Sequence, residues 1–316
     1  MVKAGDAFKD TERSCPRFSG IDAWEPRDAL DAMIESQFAA VAAVRAARGA
    51  IAQAVAAMEA RLGEAGRLIY AGAGTSGRLA VQDGAELMPT FSWPTERLLL
   101  LFAGGQEALL QAVEGAEDEG ARAEELVARQ AVGPSDVLIA VAASGTTPFT
   151  LACLRAANAR GALTVGIANN PGTPLLAEAA HPIFLDTGPE PIAGSTRMNA
   201  GTAQRIALNL LSTLLMIRLG RVYKGLMVDV QASNAKLARR REAIVRRLTG
   251  RGREDVDAAL ERAGGDIKLA VLLLDGCDLE RAKALLSRVG GRLGAALALL
   301  SREKQVPGVR HRVSGP

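Results

Sequence analysis

Aromatic residues are scarce: two Trp, two Tyr and seven Phe make up 3% of 316 residues. That argues against a site that stacks bases or sugar rings, and so against a single-strand nucleic-acid binder or an aromatic sugar platform. Histidine is scarcer still. His181 precedes a proline at a strand entry and His311 sits in a polar tail, and neither belongs to an HExxH pattern or a Cys/His cluster. A zinc site therefore has almost no ligands to draw on, and acid-base chemistry falls to carboxylates or lysine. The three cysteines, Cys15, Cys153 and Cys277, are odd in number and far apart, which fits reduced thiols in the cytoplasm. Residues 1–20 lack the apolar core of a signal peptide, and the longest apolar stretch, Ile206 to Leu219, is broken by Asn209, Ser212, Thr213 and Arg218. The expectation is a soluble cytoplasmic protein that touches neither membrane nor nucleic acid.

What the chain does have is small residues and apolar mass. Hydrophobic residues make up 48%, glycine contributes 33 positions and the net charge is only +3, so a large core and a near-neutral surface follow. Arg27 to Leu62 carries apolar residues at spacings of three and four and reads as one helix closed at Gly63. From Arg67 onward short apolar runs alternate with helical segments. The runs are Leu68–Ala71, Leu98–Ala103, Val137–Ala142, Leu163–Ala168 and Ile183–Leu185. Strands that read as continuous apolar runs are covered on both faces, which predicts an open α/β sandwich with a mainly parallel sheet. Helices follow from Gly201 to Gly220 and from Val228 to Leu248. Short helices then lie between Gly264-Gly265, Asp275-Gly276 and Gly290-Gly291. The arginines at 239–241, 246 and 247 read as a solvated helix face.

Two loops carry the chemistry. Gly72-Ala73-Gly74-Thr75-Ser76-Gly77-Arg78 follows the first strand and opens a helix. It matches GxGxxG, but the next strand ends in Ala103-Gly104-Gly105 with no carboxylate to hold a ribose, which disfavours a dinucleotide. Hydroxyls on a glycine turn at a helix start suit a phosphate monoester instead. Ala143-Ser144-Gly145-Thr146-Thr147-Pro148 repeats the arrangement after the third strand, with Pro148 placed for a first helical turn. Two such cradles at the carboxyl ends of parallel strands would converge on one crevice. Each alone is ordinary turn chemistry; the pair favours a phosphate site.

These loops resemble the sugar isomerase (SIS) domain, a phosphosugar-binding α/β sandwich. The likeness narrows further on. Thr11-Glu12-Arg13, Asp83 and Glu86 with Pro89-Thr90-Phe91, the run Ala112 to Asp118, Gly188-Pro189-Glu190, Gly194 to Met198, Ala200 to Gln204 and Met227 to Ala232 together resemble the N-acetylmuramic acid 6-phosphate etherases. The resemblance spans nearly the whole chain. It implies cleavage of the lactyl ether of N-acetylmuramate 6-phosphate to N-acetylglucosamine 6-phosphate and D-lactate, in cell-wall recycling, with no cofactor and no metal. It also implies an N-terminal segment and helix over 1–62, an SIS domain over 63–225, a UBA-like helical region over 226–303 and an unordered tail over 304–316. A homodimer is the expected assembly, because a single SIS unit commonly completes its site with a neighbour.

The implied reaction is elimination and hydration on an opened sugar. By resemblance Glu86 is the acid that protonates departing lactate and Glu114 the base at the neighbouring carbon. The phosphosugar is held by Gly74, Thr75, Ser76, Ser144, Gly145, Thr146 and Thr147, with Ser195 and Arg197 from the downstream motif. One carboxyl must be protonated and the other ionised. The neighbours Ala85, Leu87 and Met88 would give Glu86 an apolar setting suited to an acid, whereas the acidic run after Glu114 reads, apart from the resemblance, as a solvated helix end. The chain departs from the family at Ala85, Leu87 and Met88, and at Thr146 and Asn199, where the family usually carries Arg and Lys. These departures keep a shifted substrate in view, along with two other readings: a phosphosugar isomerase and a non-catalytic phosphosugar-binding regulator resembling the glucokinase regulatory protein.

Overall fold

The computed structural model describes residues 10–111, 113–230 and 235–305. The expected unordered tail lies outside these from residue 306 on, as do Ala112, Gln231 and Ala232 of the quoted motifs. The chain divides into two compact units, one formed by 1–87 with 94–215 and the other by 88–93 with 216–316.

In the first unit α1 (Pro26–Ala46) and α2 (Arg48–Leu62) precede the sheet. The single expected helix is thus two, bent by 52°. At Ala47 ψ falls to 0° and its N–H bonds to Ala43 and Arg45. An alanine-rich stretch carries no capping residue to announce such a break. Gly63, at φ +42°, closes α2.

The remainder alternates β1 (Leu68–Gly72), α3 (Gly74–Phe91), β2 (Leu98–Phe102), α4 (Glu107–Leu110), α5 (Gly120–Arg129), β3 (Val137–Val141), α6 (Pro148–Ala159), β4 (Leu163–Ala168), α7 (Pro174–Glu178), β5 (His181–Phe184) and α8 (Asn199–Arg218). The strands form one parallel sheet in the order β2-β1-β3-β4-β5. Every residue of β1, β3 and β4 is buried, as their unbroken apolar runs require. Leu138, Phe149 and Leu154 belong to a core cluster on one side of the sheet, with each buried large side chain contributing about 2 kcal/mol. At the amino end Arg67 and Asp136 form an ion pair at 2.6 Å that fastens β1 to β3. The strand order reverses between β1 and β3, the place where open α/β sheets leave a crevice at their carboxyl ends.

The second unit carries the hairpin β6 (Val222–Tyr223) and β7 (Leu226–Met227), turned through Lys224 and Gly225 at positive φ. Then come α9 (Ala235–Thr249), α10 (Arg253–Arg262), α11 (Ile267–Leu274), α12 (Leu279–Arg288) and α13 (Leu293–Gln305). The expected helix over 228–248 begins at Ala235, because Val228 continues the hairpin by bonding back to Arg221. The glycine pairs fall where helices end, and Asp266 and Asp278 cap the next ones with side-chain bonds to Leu269 and Arg281 N–H. Lys304 and Gln305 close α13 rather than opening a tail. Among the described residues no single helix is long and apolar enough to cross a membrane.

Candidate active site

Both glycine loops start where β1 and β3 end, side by side, since Gly72 pairs in register with Val141. The first is built by close packing. A Cβ on Gly72 would sit 2.8 Å from Gly77 Cα, and one on Gly77 would sit 2.5 Å from the Phe102 ring. These two glycines therefore let helix and strand touch, while Gly74 takes φ +53° to start α3. The ladder of α3 begins with Gly77 N–H on Ala73 C=O, which leaves the N–H groups of Gly74, Thr75 and Ser76 outside it. Thr75 is half-buried, and Gly201 of α8 approaches it so closely that a Cβ there would be 3.6 Å from Thr75 Cγ2. Arg78 is spent on the carbonyls of Ala108 and Leu109, holding α4 against the loop.

The second cradle is built by hydrogen bonds. Ser144 Oγ lies 3.2 Å from Thr147 Oγ1 and accepts Thr146 N–H at 3.2 Å. Gly145 stands at φ +65°, with Thr173 Oγ1 only 2.2 Å from where its Cβ would be, and its C=O accepts Leu175 N–H. The two cradles are joined by Ala143 N–H, which donates to Ser76 Oγ at 3.3 Å. The Ser76 hydroxyl oxygen thus ties the first loop to the backbone of the second.

The motif that supplies Ser195 and Arg197 runs from the end of β5 to the start of α8. Glu190 anchors it: this fully buried carboxylate accepts Asn199 N–H at 2.8 Å and Ala200 N–H at 2.9 Å, capping α8. Burial pushes its carboxyl above the ordinary glutamate range, against the pull of those two N–H donors. Asn199, read from sequence as a lost cation beside the sugar, faces α1 instead, where its Oδ1 accepts from Ser36 Oγ and Gln37 Nε2. Arg197 is exposed and forms no ion pair among the described residues.

The two glutamates stand apart. Glu114 lies in a tight turn, not a helix end. The turn is seated by buried Ala116, whose Cβ would be 3.2 Å from one on Gly104 at the end of β2. Glu117 of the same turn brings Oε1 to 2.7 Å from the Gly74 Cβ position, so this loop flanks the first cradle. Glu86 does not. It lies twelve residues along α3 from Gly74, about 18 Å at 1.5 Å per residue, on an exposed face. The apolar enclosure expected from Ala85, Leu87 and Met88 is absent: Leu87 is buried, whereas Ala85 and Met88 are exposed, because neighbours in a helix point in different directions. Nor does Glu86 pair with Arg78 or Asp83. Asp83 is buried among Tyr70, Asn209 and Ser212.

Several residues of the site region were not singled out as site residues from sequence. Asn169, Asn170 and Gln204 form a buried polar layer beneath the cradles, with Gln204 Nε2 on Asn169 Oδ1 at 2.8 Å and Asn170 Nδ2 on Ala143 C=O at 2.8 Å. A run Asn-Asn-Pro-Gly at the end of a strand was the available signal. Among the described residues no group of three His, Cys, Asp or Glu is placed to hold a metal ion. A cavity of about 580 Å³ lies in the second unit, lined by Arg221, Asp229, Arg241 and Asp266, where Asp229 pairs with both Arg221 and Lys268.

The glucokinase regulatory protein N-terminal SIS domain matches residues 50–158 and the SIS domain matches residues 110–214. A phosphoheptose isomerase from Francisella tularensis aligns over 61% of this chain and 100% of its own, with 21% identity and a TM-score of 0.47. The N-acetylmuramic acid 6-phosphate etherase of Deinococcus radiodurans is 51% identical over 282 residues, 89% of this chain and 92% of the relative. That of Rubrobacter xylanophilus is 43% identical over 288 residues, 91% of this chain and 95% of the relative. With two glycine- and hydroxyl-rich loops at the switch point of an SIS-type sheet and identities of 51% and 43% over about nine-tenths of its length, the chain belongs to the N-acetylmuramic acid 6-phosphate etherase family.

Proposed function

We propose that the protein is a carbon-oxygen lyase that cleaves the D-lactyl ether of N-acetylmuramate 6-phosphate, yielding N-acetylglucosamine 6-phosphate and D-lactate. The observation that carries the reading is the pair of cradles flanked by the Glu114 turn, in a chain alike over about nine-tenths of its length to etherases of that name. The phosphate is held by the N–H groups and hydroxyls of Gly74, Thr75 and Ser76 and of Ser144, Gly145, Thr146 and Thr147, with Ser195 and Arg197 toward the sugar. As the family resemblance implies, Glu114 takes the proton beside the aldehyde of the opened sugar. Lactate leaves from the next carbon with a proton from Glu86, and water adds across the double bond as both protons are returned. No cofactor enters this sequence.

Glu86 lies too far along α3 to serve the cradle of its own chain, so the reading includes a homodimer in which each Glu86 serves its partner's crevice. The surface for it is apolar: Leu30, Ile34, Phe38 and Val41 form one stripe of α1, each more than half exposed, and Leu210 on α8 is half exposed. Phosphorylated sugars and unpaired thiols, Cys153 and Cys277 both buried, are in keeping with a cytoplasmic enzyme of cell-wall recycling.

The test is release of D-lactate from the purified chain, abolished in Glu86→Gln and in Glu114→Gln. Co-expressing the two inactive variants sharpens it. If the two glutamates of a site come from different chains, half of the dimers regain one intact site and about a quarter of the activity returns. If they come from one chain, none returns. Deuterium uptake into a sugar phosphate without lactate would point to an isomerase, and thermal stabilisation without turnover to a regulator.

A further inference from the structure

The segment ahead of α1 was matched in sequence but given no task by the reaction. In the structure Thr11 is completely buried, within a short 3-10 turn (Asp10–Glu12). Its N–H donates to Asn170 Oδ1 at 3.3 Å, and its hydroxyl accepts Asn170 Nδ2 at 3.0 Å. The same Nδ2 donates to Ala143 C=O at 2.8 Å, immediately before the second cradle. On the other side Thr11 C=O accepts Gly194 N–H at 2.9 Å, immediately before Ser195. Glu12 packs on Gly194 so closely that a Cβ there would lie 2.9 Å from its Oε2. With the bond from Ala143 N–H to Ser76 Oγ, one chain of hydrogen bonds runs from Ser76 through Ala143, Asn170 and Thr11 to Gly194.

We infer that Thr11 is a positioning residue of the phosphosugar site: it clasps the second cradle to the loop bearing Ser195 and Arg197, and so fixes the width of the crevice between them. It touches no substrate in this role. Its effect passes through Asn170 to Ser144 and through Gly194 to Ser195. Buried hydrogen-bonded networks are rigid when complete and costly when one partner is removed. Removing the hydroxyl leaves Asn170 Nδ2 one acceptor short and lets the two loops separate. The inference rests on the reading of the cradles as a phosphosugar site.

The experiment compares equilibrium binding of N-acetylglucosamine 6-phosphate, by calorimetry, with lactate release for wild type, Thr11→Val and Thr11→Ser. Thr164→Val is the control: this hydroxyl is equally buried at the amino end of the sheet, bonded to Asn158 Oδ1 at 2.8 Å and to Ala180 N–H at 3.0 Å. Thr11→Val is expected to weaken binding about tenfold and to raise KM by a like factor with kcat changed less than about threefold. Thr11→Ser recovers to within about twofold of wild type, because it retains the hydroxyl that accepts from Asn170. Thr164→Val lowers thermal stability and leaves binding unchanged. Unchanged binding in Thr11→Val, or an equal loss in Thr11→Val and Thr164→Val, overturns the inference. If Thr11→Val does not fold, Thr11→Ala is read by the same criteria. A wild type that binds the sugar phosphate in this pattern but releases no lactate refutes the lyase and leaves the clasp standing. A wild type that neither binds it nor releases lactate refutes both; where lactate is released without measurable binding, the KM ratios decide the inference by the same criteria.

Discussion

The two cradles look alike in sequence and are made by different physics. The first is chiefly steric: Gly72 and Gly77 allow strand, helix and the Phe102 ring to meet within contact distance, and its polar ties, Ala143 N–H on Ser76 and Arg78 on α4, run outward to neighbouring elements. The second is polar: Ser144, Thr146 and Thr147 bond among themselves, and Asn170 fastens the loop from beneath. A loop shaped by close packing has no middle state, whereas one shaped by hydrogen bonds loosens by degrees. Glycine-rich phosphate loops should therefore not be ranked by motif alone, since the same letters mark a wedge in one place and a clasp in another.

The largest effect is expected at the steric loop. Gly77→Ala would set a Cβ 2.5 Å from the Phe102 ring and 2.6 Å from the Gly72 carbonyl carbon. It should cost about 3 kcal/mol, read as a lowered denaturant midpoint at unchanged slope. At the polar loop Gly145→Ala is next, about 2 kcal/mol, from its left-handed φ and the Thr173 side chain. Here the comparison can be sharpened: adding Thr173→Gly should recover about half, because the clash goes and the backbone strain stays. Equal recovery of the whole loss would show that φ costs nothing.

A smaller effect belongs to the cap that holds α8 against the first cradle. Glu190→Gln keeps one acceptor oxygen of two and should cost about 1 kcal/mol. It also alters the pH dependence. Burial holds this carboxyl above its ordinary value when folded, so the folded chain binds the proton more tightly than the unfolded one. Stability is then greatest below the ordinary glutamate range, falls as pH rises toward the raised folded value and is level beyond it. Asp83, likewise pushed up by burial despite its bonds to Asn209, Tyr70 and Ser212, adds a slope of the same sign. Chemical denaturation across pH should show a shallower fall in Glu190→Gln; an identical fall would remove Glu190 from the account. The smallest effect on stability is expected for Ser144→Ala, below about 1 kcal/mol for a half-buried hydroxyl. Its phosphosugar affinity should nevertheless drop severalfold, which would separate the loop's function from its fold.

The strands were legible because buried parallel strands have one signature, an unbroken apolar run ended by glycine or a polar turn. The cradles were legible for the same reason, since they begin where those runs stop. Partnership between distant segments was not. Thr11 and Asn170 are 159 positions apart and meet only because the sheet's carboxyl edge gathers both. The neighbourhood of Glu86 was misjudged by treating adjacency along the chain as adjacency in space, which a helix forbids. The break at Ala47 had no proline, glycine cap or polar cap to betray it. Asn199 illustrates the converse: a departure that looked electrostatic is a packing choice, because its amide serves α1 and not the crevice.

One further consequence attaches to α3. On the function proposed above, it carries a phosphate cradle on its first turn and the acid, Glu86, on its fourth, so the helix is a measuring rod whose length is set by residue count. A single alanine inserted between Leu79 and Gln82 would advance Glu86 by about 1.5 Å and swing it by about 100° around the axis. The cradle at the other end would be left as it was. The same insertion would turn the buried face of α3, with Asp83, Gly84 and Leu87, off its partners, so a change in residue count costs stability as well as reach.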